Sequence, residues 1–135
     1  MSIPVLSRFA RFVAAGGIGF LIEAVILTWL VQEQGLNIYG ARLVSFSVAV
    51  TATWAINRNF AFAGLRQHRK SREYSAYFFV QIVGAAINLG VFAAVVALQP
   101  GLRSIPVLPL AIGAAVAMVF NFVASRAWVF RGSNE

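Results

Sequence analysis

Four long apolar stretches dominate the sequence, and they constrain the fold more than any other feature. Each is about 20 residues long, the length that a helix needs to cross a hydrocarbon core of about 30 Å. The stretches run from Phe12 to Val31, from about Tyr39 to Asn57, from Tyr77 to Leu98 and from Val107 to about Ser125. They are continuous rather than alternating, which favours helices over the strands of a membrane barrel. The sequence therefore predicts an all-α integral membrane protein of four transmembrane helices, in which residues 1–135 form one domain.

The composition supports this interpretation and excludes several other classes of protein. Hydrophobic residues make up 60% of the chain and charged residues 11%, whereas soluble domains have about 45–50% apolar and about 25% charged residues. The chain has no cysteine, which excludes disulfides, thiolate metal sites and a cysteine nucleophile. The net charge of +7 would indicate nucleic acid in a soluble protein. In so apolar a chain it indicates anionic lipid headgroups instead, and we expect no nucleic-acid partner.

The positive charges are distributed unevenly between the two ends of the predicted helices. If four helices run alternately up and down, nine Lys and Arg residues lie on one side, and Arg42 and Arg103 lie on the other. The nine are Arg8, Arg11, Arg58, Arg66, Arg69, Lys70, Arg72, Arg126 and Arg131. Cytoplasmic loops carry an excess of positive charge, so both termini and the middle connection are predicted to be cytoplasmic.

An internal repeat relates the two halves of the chain. A shift of 68 residues places the end of the second span, Asn57 to Gly64, over the end of the fourth, Ser125 to Gly132. Both endings have a polar residue, an arginine, a large aromatic residue, a phenylalanine and a glycine at matching positions. The first and third spans align either at a shift of 68, with Gly16 over Gly84, or at a shift of 65, with Gly19 over Gly84. The repeat predicts two helical hairpins of the same topology, related by a pseudo-twofold axis along the membrane normal.

Polar residues within the predicted spans point to a cleft between the helices. Glu23, the one glutamate predicted to lie within a span, is about 16 Å beyond the cytoplasmic boundary at Phe12, where an ionised carboxylate costs a few kcal/mol. Asn88 lies at the same depth in the third span, with Gln81 two turns before it, and Asn121 lies nearer the cytoplasm in the fourth. Their spacing predicts a polar cleft with arginines at its cytoplasmic mouth.

Structural roles remain open for the same residues. A protonated Glu23 would serve equally as a hydrogen-bond donor to a neighbouring helix, and interhelical hydrogen bonds of the amides would contribute about 0.6 kcal/mol each. Arg58 and Arg126 would also serve as positive anchors at the cytoplasmic interface. Their recurrence in the two matched endings favours a shared function.

The sequence contains no motif typical of catalysis. It has no phosphate-binding glycine loop, no His-Glu-x-x-His motif and no nucleophile elbow. It also has no aspartate, and its only histidine, His68, lies in the charged connection between the second and third spans. We therefore expect no catalytic residue, no metal site and no cofactor, and a transport or binding role rather than an enzyme.

Two arginine–aromatic–phenylalanine endings, Asn57 to Phe62 and Asn121 to Phe130, are the most specific features of the sequence. Two further segments accompany them, Arg11 to Gly19 with its glycines and Tyr77 to Gln81 with its aromatic residues. Together these features resemble the GtrA-like family of small four-span membrane proteins over nearly the whole chain. Ser125 stands where the first ending has Asn57, so the two copies depart from each other at this polar position.

The resemblance implies flipping of a polyprenyl-phosphate-linked sugar, or of polyprenyl phosphate, across the bacterial cytoplasmic (inner) membrane. The purpose would be cell-surface polysaccharide synthesis or glycosylation, with a membrane glycosyltransferase as a partner. The expected lipid-phosphate ligands are Arg58, Arg126, Asn57 and Ser125, because paired guanidinium donors suit a phosphate. The expected sugar-binding or coupling groups are Glu23, Gln81, Asn88 and Asn121.

Two functions of other classes remain open on the sequence. One is a small proton-coupled exporter that uses Glu23, although arginines at the inner mouth would repel cationic drugs. The other is a non-transporting partner that stabilises a membrane glycosyltransferase. A homodimer packed through small-residue faces such as Gly113 and Ala117 is also open.

Overall fold

The chain folds into four long helices. The computed structural model describes residues 3–65, 69–105 and 107–130, and within these ranges it contains no strand. The helices are α1 (Val5–Gln32), α2 (Ile38–Asn59), α3 (Lys70–Leu98) and α4 (Val107–Ala124). A 3-10 turn (Pro100–Ser104) precedes α4, and a π-helical turn (Ser125–Val129) extends it. The predicted all-α fold is confirmed.

Three helical segments of the described chain are long and apolar enough to cross a membrane: Val5–Gln32, Lys70–Leu98 and Leu108–Val129. In the most apolar window of each, at most 33% of the residues are buried inside the protein. Apolar side chains that face outward in such numbers need a hydrocarbon environment, because in water they would form large exposed patches. The protein is therefore an integral membrane protein. The second predicted span, α2, has 22 residues but is less apolar than the other three.

The helices form two antiparallel hairpins, because α1 packs along α2 and α3 packs along α4. The chain reverses after α1 at Gly35, whose φ of 69° belongs to the left-handed region that favours glycine. Asn37 then caps α2, since its Oδ1 accepts hydrogen bonds from the backbone N–H groups of Tyr39 (2.8 Å) and Gly40 (3.3 Å). These local features place α2 back along α1.

Small residues allow the helices of each hairpin to approach closely. A Cβ atom on Gly113 of α4 would lie 2.7 Å from the backbone oxygen of Asn88 on α3. A Cβ atom on Gly84 would collide with the side chain of Asn121, and one on Gly19 would collide with Thr53. Glycine at these crossings therefore sets the spacing between the helices.

The buried positions decide the register of the repeat. The buried residues are Arg8, Phe12, Ala15 and Gly19 in α1, and Glu73, Tyr77, Val80 and Gly84 in α3. These sets match at a shift of 65, and neither helix has a buried residue beyond Gly19 or Gly84. At the ends of α2 and α4 the equivalent buried residues are instead 68 apart, as shown by the pairs Asn57/Ser125 and Phe62/Phe130. The second hairpin thus holds three more residues, in the connection that contains the 3-10 turn.

Both hairpins end in a matching turn at the same end of the bundle. The backbone N–H of Phe62 donates to the carbonyl of Asn57, and that of Phe130 donates to the carbonyl of Ser125, both at 2.8 Å. Each bond joins residues i and i+5, so both hairpins end in the same widened turn. We call this end, which also carries Arg8, Arg11, Arg58 and Arg126, the arginine end.

Two expectations about the arginine end are corrected. α1 and α3 each begin seven residues before the predicted spans, at Val5 and Lys70, because their helical hydrogen bonds continue beyond the apolar stretch. As a result Glu73 lies inside the apolar helix α3, where it is fully buried. The prediction that Glu23 is the one glutamate within a span is therefore wrong. The predictions for Arg66, His68 and Arg131 concern residues outside the described ranges.

Candidate functional site

A cavity of about 240 Å³ lies between the four helices. Its polar lining residues are Glu23 from α1, Thr53 and Asn57 from α2, Gln81 and Asn88 from α3, and Asn121 from α4. The structure thus brings together five of the eight site residues that the sequence predicts: Glu23, Asn57, Gln81, Asn88 and Asn121. The volume is slightly below the roughly 300–1,000 Å³ of common ligand pockets, which suits a polar headgroup rather than a whole lipid.

Three oxygen atoms of the cavity residues are buried and accept no hydrogen bond from any described residue. They are Glu23 Oε2, Asn57 Oδ1 and Asn121 Oδ1. A buried acceptor without a donor costs about 1–3 kcal/mol. A ligand that brings hydroxyl or N–H donors into the cavity would recover this free energy.

A hydrogen-bonded chain orients Asn57. Asn57 Nδ2 donates to Tyr77 Oη at 2.9 Å, and the Tyr77 hydroxyl donates to Thr53 Oγ1 at 3.0 Å. Because the amide nitrogen is turned toward Tyr77, the amide oxygen is left for another partner. Tyr77 was not among the predicted site residues, although the 65-residue register places it over buried Phe12.

Glu23 forms an ion pair with Arg42 of α2. Arg42 Nη1 lies 3.2 Å from Glu23 Oε2, and the side chains are 60% and 20% exposed, respectively. The contact is one of charge alone, since Glu23 Oε2 accepts no hydrogen bond from the described part of the chain. The nearby guanidinium offsets part of the cost of keeping a carboxylate in the bundle. The sequence placed Arg42 at the opposite end of the helices and did not predict this pair.

Arg58, a predicted phosphate ligand, is paired with Glu73. Arg58 Nε donates to Glu73 Oε1 at 2.6 Å, and Trp54 Nε1 donates to the same oxygen at 3.0 Å. The Glu73 side chain is fully buried and that of Arg58 is 13% exposed. The guanidinium of Arg58 thus already has an anionic partner within the protein.

The other two predicted phosphate ligands at the arginine end differ in burial. Arg126 is exposed on the π-helical turn after α4. Ser125 beside it is fully buried, and its Oγ has no hydrogen-bond partner among the described residues. Neither residue lines the cavity. The arginine end therefore separates the predicted phosphate ligands into different environments.

Arg8 and Arg11 bind the end of α2, a role that the sequence did not predict. Arg8 is 5% exposed, and its Nη1 donates to the carbonyls of Ala61 (3.1 Å) and Ala63 (3.2 Å). Arg11 Nη1 donates to the carbonyl of Phe60 at 3.0 Å. Cations at a helix C-terminus complement its partial negative charge, so both residues stabilise this turn.

The site combines hydrogen-bond acceptors in the cavity with guanidinium groups at the arginine end. Within residues 3–65, 69–105 and 107–130, no three His, Asp or Glu residues lie together in a way that would hold a metal ion. The arrangement suits a ligand that has hydroxyl groups at one end and an anionic group at the other.

The comparisons with known proteins agree with this description. The family model described as "GtrA/DPMS, transmembrane domain" matches residues 11–130, which include both hairpins and the two matched endings. No curated protein matches the chain significantly. The protein therefore belongs to the GtrA/DPMS transmembrane domain family, and this membership indicates involvement in membrane processes that use polyprenyl-phosphate-linked sugars.

Proposed function

We propose that this protein moves a polyprenyl-phosphate-linked sugar, or polyprenyl phosphate, across the bacterial cytoplasmic membrane. The observation that carries this proposal is the cavity, in which Asn57 Oδ1 and Asn121 Oδ1 have no hydrogen-bond donor among the described residues. The third oxygen, Glu23 Oε2, has only its ion pair with Arg42. The hydrocarbon core has no water to satisfy such groups. Sugar hydroxyls would donate to them, and the family match supports the polyprenyl carrier.

The proposal includes α2 as the fourth transmembrane span. Its 22 residues extend about 33 Å, enough to cross the hydrocarbon core. Its low mean hydropathy comes in part from side chains that face the bundle, since Ser45, Thr53 and Asn57 are buried. Its exposed face includes Leu43 and Val44. Four spans would place the arginine end and both termini in the cytoplasm, where the positive charges favour them.

The proposed path uses the two parts of the site together. The sugar occupies the cavity, and the phosphate stays at the arginine end, where Arg126 is exposed. Arg126 follows Asn121 by five residues, which corresponds to about 7.5 Å along a helix. The polyprenyl tail remains in the lipid beside the bundle. The sugar then reaches the outer surface for transfer onto cell-surface polysaccharide by a membrane glycosyltransferase.

The Glu23–Arg42 ion pair distinguishes this proposal from a proton-coupled exporter of cations. A carboxylate binds a cation best when it has no positive partner, but Arg42 Nη1 lies 3.2 Å from Glu23 Oε2. A cation would have to displace this guanidinium. The cavity therefore favours a neutral, hydroxyl-rich group over a lipophilic cation.

Reconstitution of the purified protein into vesicles tests the proposal. The protein alone should speed the passage of a fluorescent polyprenyl-phosphate sugar between leaflets, relative to protein-free vesicles. Proton-driven efflux of lipophilic cations would support the exporter instead. No translocation by the protein alone, together with higher activity of an added glycosyltransferase, would support the stabilising partner.

A further inference from the structure

The arginine end breaks the symmetry of the repeat at one position. A shift of 68 residues relates Arg58 to Arg126, and a shift of 65 relates Glu73 to Arg8. In the half formed by α2 and α3, an arginine therefore meets a glutamate. In the half formed by α4 and α1, the position equivalent to that glutamate holds a second arginine, Arg8.

The electrostatic consequences of this exchange are opposite in the two halves. Arg58 Nε lies 2.6 Å from the fully buried carboxylate of Glu73, so its charge is balanced. Neither Arg8 nor Arg126 forms an ion pair with a carboxylate in the described ranges. Arg126 and Arg11 both act on the Arg8 guanidinium as like charges. Two like charges beside each other at a low-dielectric boundary are unfavourable unless an anion lies between them.

The fold holds Arg8 beside the turn that carries Arg126. Arg8 binds the carbonyls of Ala61 and Ala63. Phe62 lies between these two residues and stacks on Phe130, at the end of the turn that carries Arg126. These contacts therefore keep Arg8 on the same side of the bundle as the turn that carries Arg126. Two guanidinium groups on one side of the bundle are suited to binding a phosphate.

We propose that Arg8 and Arg126 form a single binding site for a lipid phosphate on the α1–α4 side of the bundle. On the α2–α3 side, the Glu73 carboxylate occupies the position of the anion, so that side binds no phosphate. For the identity of the lipid, a polyprenyl phosphate, the inference rests on the proposed function. The chemistry it recognises is a phosphate ester, which an ordinary anionic phospholipid also carries.

Native mass spectrometry of the purified protein in detergent tests this site. The probes are a polyprenyl phosphate and, separately, phosphatidylglycerol. Arg126→Gln should lower the affinity for polyprenyl phosphate by at least about tenfold, the effect of losing a charged hydrogen-bond partner. Arg69→Gln removes one exposed charge near the same end and should change the affinity less than about twofold. The wild-type protein should bind one polyprenyl phosphate per chain.

A second variant separates binding from folding. Arg126→Glu places next to Arg8 the acidic partner that Arg58 has in the other half. We expect it to abolish phosphate binding while the thermal unfolding temperature stays at or above that of the wild type. Unchanged affinity in both Arg126 variants would overturn the site. An equal loss of affinity in Arg69→Gln would also overturn it, because the effect would then be one of overall charge.

The outcomes also distinguish this site from the proposed function. If the protein translocates the polyprenyl-phosphate sugar but the Arg126 variants keep the wild-type affinity for polyprenyl phosphate, the site is refuted and the proposed function stands. The opposite result has three parts: phosphatidylglycerol binds as tightly as polyprenyl phosphate, its binding depends on Arg126, and no sugar is translocated. That result would support the site and refute the proposed function.

Discussion

Phe62 and Phe130 stack with ring centroids 4.7 Å apart and an interplanar angle of 10°, although 68 residues separate them in the sequence. They are equivalent residues of the two hairpins, and the backbone N–H of each donates to the carbonyl five residues before it. Equivalent residues touch where a pseudo-twofold axis passes between them. The stack therefore joins the hairpins at the arginine end, while the cavity lies between them farther along the helices.

Arg58→Ala should destabilise the protein strongly. The change removes a charged partner from the fully buried Glu73 carboxylate, which costs about 3–5 kcal/mol. Arg126→Ala, the equivalent change on an exposed residue, should cost less than about 0.5 kcal/mol. Thermal unfolding in detergent micelles measures both. Adding Glu73→Gln to Arg58→Ala should recover part of the loss, and equal losses in the two arginine variants would contradict this account of the pair.

Gly84→Ala should separate α3 from α4 at the crossing point. The added Cβ would collide with the Asn121 side chain, and such overpacking costs about 1–3 kcal/mol. Gly90 of the same helix has open space around its Cα, so Gly90→Ala should be neutral or stabilise the helix by up to about 1 kcal/mol. The free energy of unfolding of the two variants checks this. The account of the crossing fails if both variants behave alike.

Tyr77→Phe should loosen the side of the cavity that Asn57 forms. The lost hydroxyl accepts from Asn57 and donates to Thr53, so the change should cost about 1–2 kcal/mol of unfolding free energy. Tyr74→Phe is the matched control, because the Tyr74 hydroxyl lies 2.8 Å from Thr51 Oγ1 at an exposed position. Its cost should be below about 0.5 kcal/mol. The prediction is contradicted if Tyr77→Phe lowers the free energy of unfolding by no more than Tyr74→Phe does.

Glu23→Gln distinguishes sugar translocation from proton coupling. Glutamine keeps one acceptor oxygen in the cavity but loses the charge, so translocation of the lipid-linked sugar should persist within about threefold. A proton-coupled exporter would lose its activity. Arg42→Gln leaves the Glu23 carboxylate without the cation that lies 3.2 Å from it, and should reduce stability more than Glu23→Gln does. Vesicle transport and thermal unfolding of the two variants measure these effects.

The helices and the repeat were predictable because both depend on patterns along the chain. Apolar stretches of membrane-spanning length predict the helices. The matched endings at Arg58 and Arg126 predict the two hairpins, whereas the widened turns in these endings were not predicted. The cavity was predictable in outline because Glu23, Gln81 and Asn88 are polar residues at helical spacing within apolar helices.

The partners of the charged residues were not predictable in the same way. Glu73 lies outside the apolar stretch, and its pairing with Arg58 depends on how the two hairpins are rotated against each other. The register that places Arg8 over Glu73 rests on buried positions, which a sequence rich in alanine, valine and phenylalanine does not distinguish. The ion pair between Arg42 and Glu23 also depends on how α1 and α2 pack against each other.

The most direct measurement is the translocation rate of a fluorescent polyprenyl-phosphate sugar in vesicles that contain the Asn121→Leu variant. Asn121 Oδ1 lies buried beside the cavity without a donor among the described residues, and leucine of similar size removes that acceptor. Val119→Leu, on an exposed part of the same helix, is the control. We predict that Asn121→Leu lowers the rate roughly 3–10-fold, whereas Val119→Leu leaves it at the wild-type value. Equal rates for the two variants and the wild-type protein, or no acceleration by the wild-type protein over empty vesicles, would contradict the proposal that the cavity carries the sugar.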